Sequence, residues 1–422
     1  MLTAARAPIG VVVQQHAEDT ATLRATRSFL VGAPHVKLHQ LRRLDERIAA
    51  HLDGLAVAGD YGRRLAEAAL ANPGHGEAFA ATVLAIEGRN APALAKLLAL
   101  AESLASVRRG LISAFGWVSA HSLRGITKGL LDSPGPFARM VGVAACAMHR
   151  VDPGPVLTDA VLDADAALRA RALRVAGEIG RLDLLPACRN ALADEELEVR
   201  FHAARAALLL GCREAAPAAL QTLALSPGPF RQAAVELLLK VVAPAQWRAL
   251  LSALSQESTQ MRLLVRSIGA AGDPHYVPWL LERMVDLKLT RLAGESFSRI
   301  TGLDLVALDL ERKPPEGLEL GPNDDPNDAN VALDEDDSLP WPDPGKVAAW
   351  WNANGASFAA GSRYFMGEAP NTSHCRAVLR RGFQRQRIAA AEYCLLNRPG
   401  TALFGVAAPA WRQERELAQL GV

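Results

Sequence analysis

The sequence predicts an all-α protein, a solenoid of about eight stacked helix pairs of 31 residues each. Three observations predict it. The segment 169–180 aligns with 200–211 at an offset of 31, and the same offset carries Asp163 to Asp194 and Pro186 to Pro217. The pentapeptide Ser-Pro-Gly-Pro-Phe occurs at 133–137 and again at 226–230, three periods apart. The composition is half apolar, only 5% aromatic and dominated by Ala and Leu, residues that lose little side-chain freedom in a helix.

The repeat is anchored on an arginine. Stepping by 30 or 31 from Arg169 reaches Arg139 and Arg108 in one direction and Arg200, Arg231 and Arg262 in the other, and a last repeat starts at Arg291. A first helix follows each arginine, with apolar residues three, four and seven positions on: Leu111, Ile112 and Phe115 in one repeat, Ala234, Val235 and Leu238 in another. That spacing makes one buried stripe. A turn follows, then a second helix with proline near its start (Pro92, Pro186, Pro217, Pro244, Pro278), where the missing N–H costs nothing. Two short helices cannot bury their faces alone, so neighbouring repeats must stack. One arginine per repeat is expected to tie adjacent loops through acids such as Asp163 and Asp194. A basic binding ladder is the sharper reading of the same residues.

Four segments are expected: a helical cap at 1–74, the array at 75–312, an acidic linker at 313–340 and a helical module at 341–422. In the cap, helices are expected from Val12 to Leu30, from about Val36 to Leu55 and over 60–70. The second of these places Leu38, Leu41, Leu44, Ile48, Leu52 and Leu55 on one face. Residues 314–345 hold ten acids and no Lys or Arg, which reads as a solvated linker. The order of ligands in a calcium-binding EF-hand loop is absent. In the last module Asp343 and Pro344 look like an N-cap and first turn. Six of the 22 aromatics fall within 341–365, among them Trp341, Trp350 and Trp351. An arginine-rich helix is expected from Arg376 to about Leu396, with Arg380, Arg381, Arg385 and Arg387 on its polar sides. Trp and Arg are favoured interface anchors, so these seven residues are the expected protein-contact candidates. The acidic linker can also fold back onto these arginines.

No chemistry is evident. The sequence lacks a phosphate-binding loop, a nucleophile elbow and a zinc-protease helix. His35 and His39 lie four apart but have no evident third ligand. Dispersed acids read as caps, although a site assembled across the solenoid's concave face stays open. The five cysteines form no CxxC pair and read as free thiols. No catalytic, cofactor-binding or metal-binding residue is therefore expected. A net charge of +1 disfavours a general nucleic-acid or membrane-surface binder. The N-terminal apolar run, Ile9 to Val13, is too short for a signal sequence, so a cytoplasmic protein is expected.

The core Val199-Arg200-Phe-His-Ala203-Ala204 resembles HEAT repeats of the short kind, making the expected fold HEAT-like. The ends carry a further resemblance. Leu44 to Leu55 with His16 and Glu18 upstream, and Leu339 to Pro344 followed by Trp350, Trp351 and the run 382–387, are similar to the two ends of a proteobacterial HEAT-repeat family of unknown function. Members of that family are often encoded near type VI secretion spike and effector genes. The resemblance implies a cytoplasmic accessory role in effector loading. The chain departs from it at Leu23 and Arg24, where the family tends to have Trp. The expected function is a non-enzymatic scaffold or adaptor with a protein partner, such as a secretion effector or spike protein, and no cofactor. The alternative is a nucleic-acid-binding HEAT-like protein of the DNA-glycosylase type.

Overall fold

A computed structural model describes residues 8–316 and 334–421. Its regular structure among these residues is 22 α-helices and six short 3-10 turns; the remaining ladder pairing is two isolated bridges. The first helices of the repeats begin at His75, Ala105, Pro136, Ala166, Leu197, Arg231, Met261 and Thr290. That is the expected number of repeats at close to the expected period. The prolines sit where the missing donor is harmless: Pro92, Pro186, Pro244 and Pro278 all lie at the first or second position of their helices.

Contacts divide the chain into two compact units, Met1–Gly211 with Arg380–Val422, and Cys212–Leu379. The expected segments are organised differently within them. The array contributes to both units, and the segment 341–422 gives its first part to one and its remainder to the other.

The first unit opens with the helices Gly10–Leu30 and Leu38–Val57, a short Asp60–Ala68, and then the repeats. The expected apolar face of the second helix is fully inside: Leu38, Leu41, Leu44, Ile48, Leu52 and Leu55 are all buried. Successive first helices pack directly on each other, so their contacting faces need small residues. A β-carbon on Gly110 would run into the His75 carbonyl, and one on Gly177 would meet the Ala206 Cα at 2.7 Å. The helix His75–Glu87 is buried from Ala78 through Ile86, as expected of a helix walled on several sides.

The repeating arginines behave as ties. Arg139 pairs with Asp163 at 2.7 Å. Arg169 holds Asp194 through two hydrogen bonds of 2.9 and 3.1 Å and also donates to the Asp163 carbonyl. Arg200 donates to the carbonyls of Asp194 and Glu195. The hydrogen bond from Arg169 keeps the Asp194 carboxyl below its ordinary range. The binding-ladder reading is thus displaced by an architectural one, because these guanidinia are already engaged within and between repeats.

The second unit continues the pattern. Arg231 pairs with Glu257 and donates to the Ala224 carbonyl. The last helix of the array, Thr290–Thr301, has no further repeat to supply the next acid, and the end of the acidic segment supplies it instead. Arg262 forks onto Asp336 at 2.7 and 2.9 Å and reaches Glu335 at 3.1 Å. Arg291 bonds the Asp336 carbonyl, pairs with Asp334 at 2.6 Å and stacks on Trp341 at 4.8 Å. The described end of the acidic stretch therefore pairs with array arginines rather than with the expected C-terminal ones. Residues 317–333 of the expected linker lie outside the described residues. Asp343 caps the helix Pro344–Asn354 as expected, accepting from the N–H groups of Gly345 and Lys346.

The expected arginine-rich helix is interrupted. The chain forms Thr372–Arg381 and Gln384–Asn397 as separate helices, because Phe383 adopts an extended conformation and starts the second one. Replacing Arg169 with Ala is expected to lower unfolding free energy by about 1–3 kcal/mol. In a double-mutant cycle with Asp194→Ala, chemical denaturation should show the double variant losing less than the sum of the two single losses. Strict additivity would mean the tie contributes nothing.

Candidate functional site

The first unit holds a concave site, a cavity of about 510 Å³ lined by one face of the first helices. The helix Gly10–Leu30 contributes Arg24 and Arg27, and its C-cap contributes Val31, spaced i, i+3 and i+7. The helix Ala105–Trp117 adds Arg109, Ser113 and Trp117 in similar register. From Ala166–Ile179 come Arg171, Arg174 and Glu178, again at i, i+3 and i+7, and Arg205 follows from the next repeat. The chain segment 403–409 and Arg412 close the remaining side. Eight arginines thus face one space against two glutamates, Glu178 and Glu392.

The arginines divide by what they do. Arg27 is buried and bound to the fully buried Asp45, while its other nitrogens donate to the carbonyls of Ala407 and Ala408 at 3.1 and 3.0 Å. Asp45 also accepts from the Ala410 N–H at 2.7 Å. Arg412 donates to the carbonyls of Gly116, Met148 and Val118, at the ends of two first helices. A cation there satisfies orphan carbonyls and faces the negative end of the helix dipole. These two residues are clamps that fasten the C-terminal segment.

The others surround the open space. Arg174 pairs with Glu178 at 2.8 Å, and Arg205 approaches the same carboxylate at 3.4 Å. Arg150, in a left-handed conformation at φ 57°, donates to the Ala147 carbonyl, yet its buried Nε has no hydrogen-bond partner. Arg24 donates to the Ser28 hydroxyl and sits over the Phe79 ring at 5.1 Å.

The electrostatics show an excess of positive charge. Burial, then the adjacent Arg27, pulls Arg24 down to about 10, and burial with Arg174 does the same to Arg171. Burial and the guanidinia of Arg174, Arg205 and Arg171 push His202 down to about 3, so it stays neutral. Burial alone would raise Glu178, but Arg174, Arg205 and Arg150 outweigh it and hold its carboxyl at about 2.

The C-terminal segment shows how this face handles a peptide. Leu403 N–H donates to the Glu178 carbonyl at 2.8 Å. The Val406 carbonyl accepts from Gln384 and Gln413, and the Ala408 carbonyl accepts from Gln413 as well as from Arg27. Gly180, at φ 79°, has the Gly400 carbonyl where a β-carbon would stand, so only glycine permits this approach.

The expected contact residues are placed differently. Trp341 is buried under Arg291, and Trp350 and Trp351 are half-buried, with their rings against Phe297 and Phe358 in the second unit. In the first unit Arg380 and Arg381 are exposed, whereas Arg385 donates to the Gly32 carbonyl at 3.1 Å. Arg387 is fully buried, bound to Gln384 and Gln413, and burial lowers it to about 10. Arg387 therefore holds the core of the C-terminal segment and presents no surface. The cavity arginines were missed, although Arg174 and Arg205 are themselves 31 apart, and Arg171 aligns with His202. Among the described residues no group of three metal-ligating side chains converges, and no helix is long and apolar enough to cross a membrane.

Because Glu178 has its carboxyl lowered, its stabilisation is present above the unfolded value near 4.5 and is lost as pH falls toward 2. His202, lowered as a base, acts in the same direction: the unfolded chain takes up its proton first as pH drops below 6.5. Glu178→Gln should cost about 1–3 kcal/mol at neutral pH, discounted for the partly exposed Arg174. It should also flatten the stability profile between pH 5 and 2. An unchanged acid limb in urea titrations would contradict this assignment.

Residues 154–240 match the family described as HEAT repeats. No curated protein matches the chain. The matched stretch carries Arg169, Arg171, Arg174, Arg200 and Arg205, whereas the cavity's Arg24, Arg27, Arg109, Arg150 and Arg412 lie outside it.

Proposed function

We propose that the chain is a non-enzymatic scaffold that binds a protein partner, and that the arginine-lined cavity of the first unit is where the partner is held. The observation that carries this reading is the excess of guanidinia around an open space on one face of stacked repeats. Repeat stacks present extended surfaces to partners, and arginine is the favoured charged residue of such contacts. Nothing in the cavity pairs a nucleophile with a base: its titratable groups are guanidinia and two carboxylates. The exposed Arg380 and Arg381 are the expected anchors that remain available to a partner. The resemblance of the chain's two ends supports a more specific role, an accessory of type VI secretion acting on an effector or spike protein.

Arginine-lined space also favours a second reading, nucleic-acid binding. Against it stand the net charge of +1 and the engagement of the cavity's aromatics. Trp117 packs edge-on between Phe79 and Trp411, and Phe404 lies under Arg387, so neither ring offers a free face for a base.

Affinity capture from the native lysate should recover one specific protein with the wild-type chain and lose it with the Arg24→Gln, Arg171→Gln double variant. Equal recovery by both would move the partner away from the cavity, and recovery of none would contradict the scaffold reading. Tight duplex binding with a steep salt dependence would favour nucleic acid instead.

A further inference from the structure

We infer that the cavity of the first unit takes an acidic peptide, an extended Asp- or Glu-rich stretch of the partner protein. The inference rests on the scaffold reading above and names the chemistry of the partner's contact. Three observations support it.

The first is charge. A buried guanidinium without a carboxylate is unfavourable unless something anionic arrives, because desolvation penalises the charged form. Half-buried Arg24 donates to the Ser28 hydroxyl, and among the described residues it has no ion pair with a carboxylate. The Nε of Arg150 is buried and unpartnered. Glu178 is shared between Arg174 and Arg205 and cannot neutralise both. Added carboxylates would relieve each of these at once.

The second is shape. The face already holds one non-helical stretch of chain, 403–409, which turns at 405–408 and is bound through its carbonyls. An extended segment alongside it would meet guanidinia, which suit both side-chain carboxylates and main-chain carbonyls. A flat ring system would find no free aromatic face there.

The third is precedent within the molecule. In the second unit, array arginines hold the acidic turn 334–337 in this manner. Arg262 forks onto the Asp336 carboxylate, while Arg291 takes both the Asp336 carbonyl and the Asp334 carboxylate. First-helix arginines of this protein therefore bind an Asp-rich stretch by side chain and backbone together. The cavity of the first unit repeats the donor type, with two glutamates set against eight arginines.

The test uses the full chain and a fluorescent oligo-glutamate peptide, read by anisotropy, with oligo-lysine, inorganic pyrophosphate and a short DNA duplex as separate arms. Oligo-glutamate should bind saturably and weaken with added salt. Arg24→Gln and Arg171→Gln should each weaken it about tenfold. Arg189→Gln, exposed and outside the cavity, should leave it unchanged. Glu178→Gln should tighten it by removing the competing carboxylate, the reverse of its effect on stability. Circular dichroism melts establish that each variant is folded. The inference is overturned if oligo-glutamate fails to bind, if the cavity variants bind as wild type does, or if pyrophosphate or the duplex binds more tightly than the peptide. Should a cavity-dependent partner still be captured from lysate in that case, the scaffold reading stands and the chemistry assigned to the partner falls.

Discussion

A short helix pair with one apolar stripe has nowhere to put it except against the next pair, and this constraint governs the structure. Stacking fixes the distance between equivalent residues, and the interlocking faces then demand glycine or alanine where helices touch, as at Gly110 and Gly177. It also leaves loops that must be held in register along one edge. The recurring arginine does this, reaching an acid or carbonyl of its own or the following repeat. Where the array ends, the same need persists, and Asp336 meets it from much further along the chain.

The repeat produces a second row of arginines with a different fate. Arg169 and Arg200 are spent on architecture at the repeat edge. Arg171, Arg174 and Arg205 sit on the face of the first helices that turns toward the cavity, where stacking brings like charges together. Burial, with this crowding added to it, lowers the basicity of Arg171 and keeps His202 neutral. The C-terminal segment lowers part of that cost by presenting carbonyls, and Asp45 neutralises Arg27 outright. What remains is a pocket of positive charge in a chain whose overall charge is near zero.

The array was legible because its signals are local and periodic. Apolar spacing, proline at helix starts and the 31-residue offset each report on one or two turns of chain, and repetition multiplies them. The same holds for the Asp343 cap. The C-terminal module was less legible because its residues are positioned by partners far away in sequence. Arg387 looks like a surface arginine on any helical wheel, yet Gln413 and Gln384 make room for it inside. The helix break at Phe383 likewise depends on Gln384 N–H bonding the Val36 carbonyl. The cavity needed both kinds of information. Its arginines were in the repeat alignment, but only the fold shows that Arg24, Arg150 and Arg412 converge on the same space from separate helices and loops.

The central claim is that an acidic peptide lies in this cavity beside the segment 403–409. Hydrogen exchange of the full chain with and without saturating oligo-glutamate tests it most directly. The account predicts slowed exchange at the amides of 403–408 and at Arg150, with the acidic turn at 334–338 unaffected. Protection confined to other regions, or none at a peptide concentration that saturates binding, would contradict it.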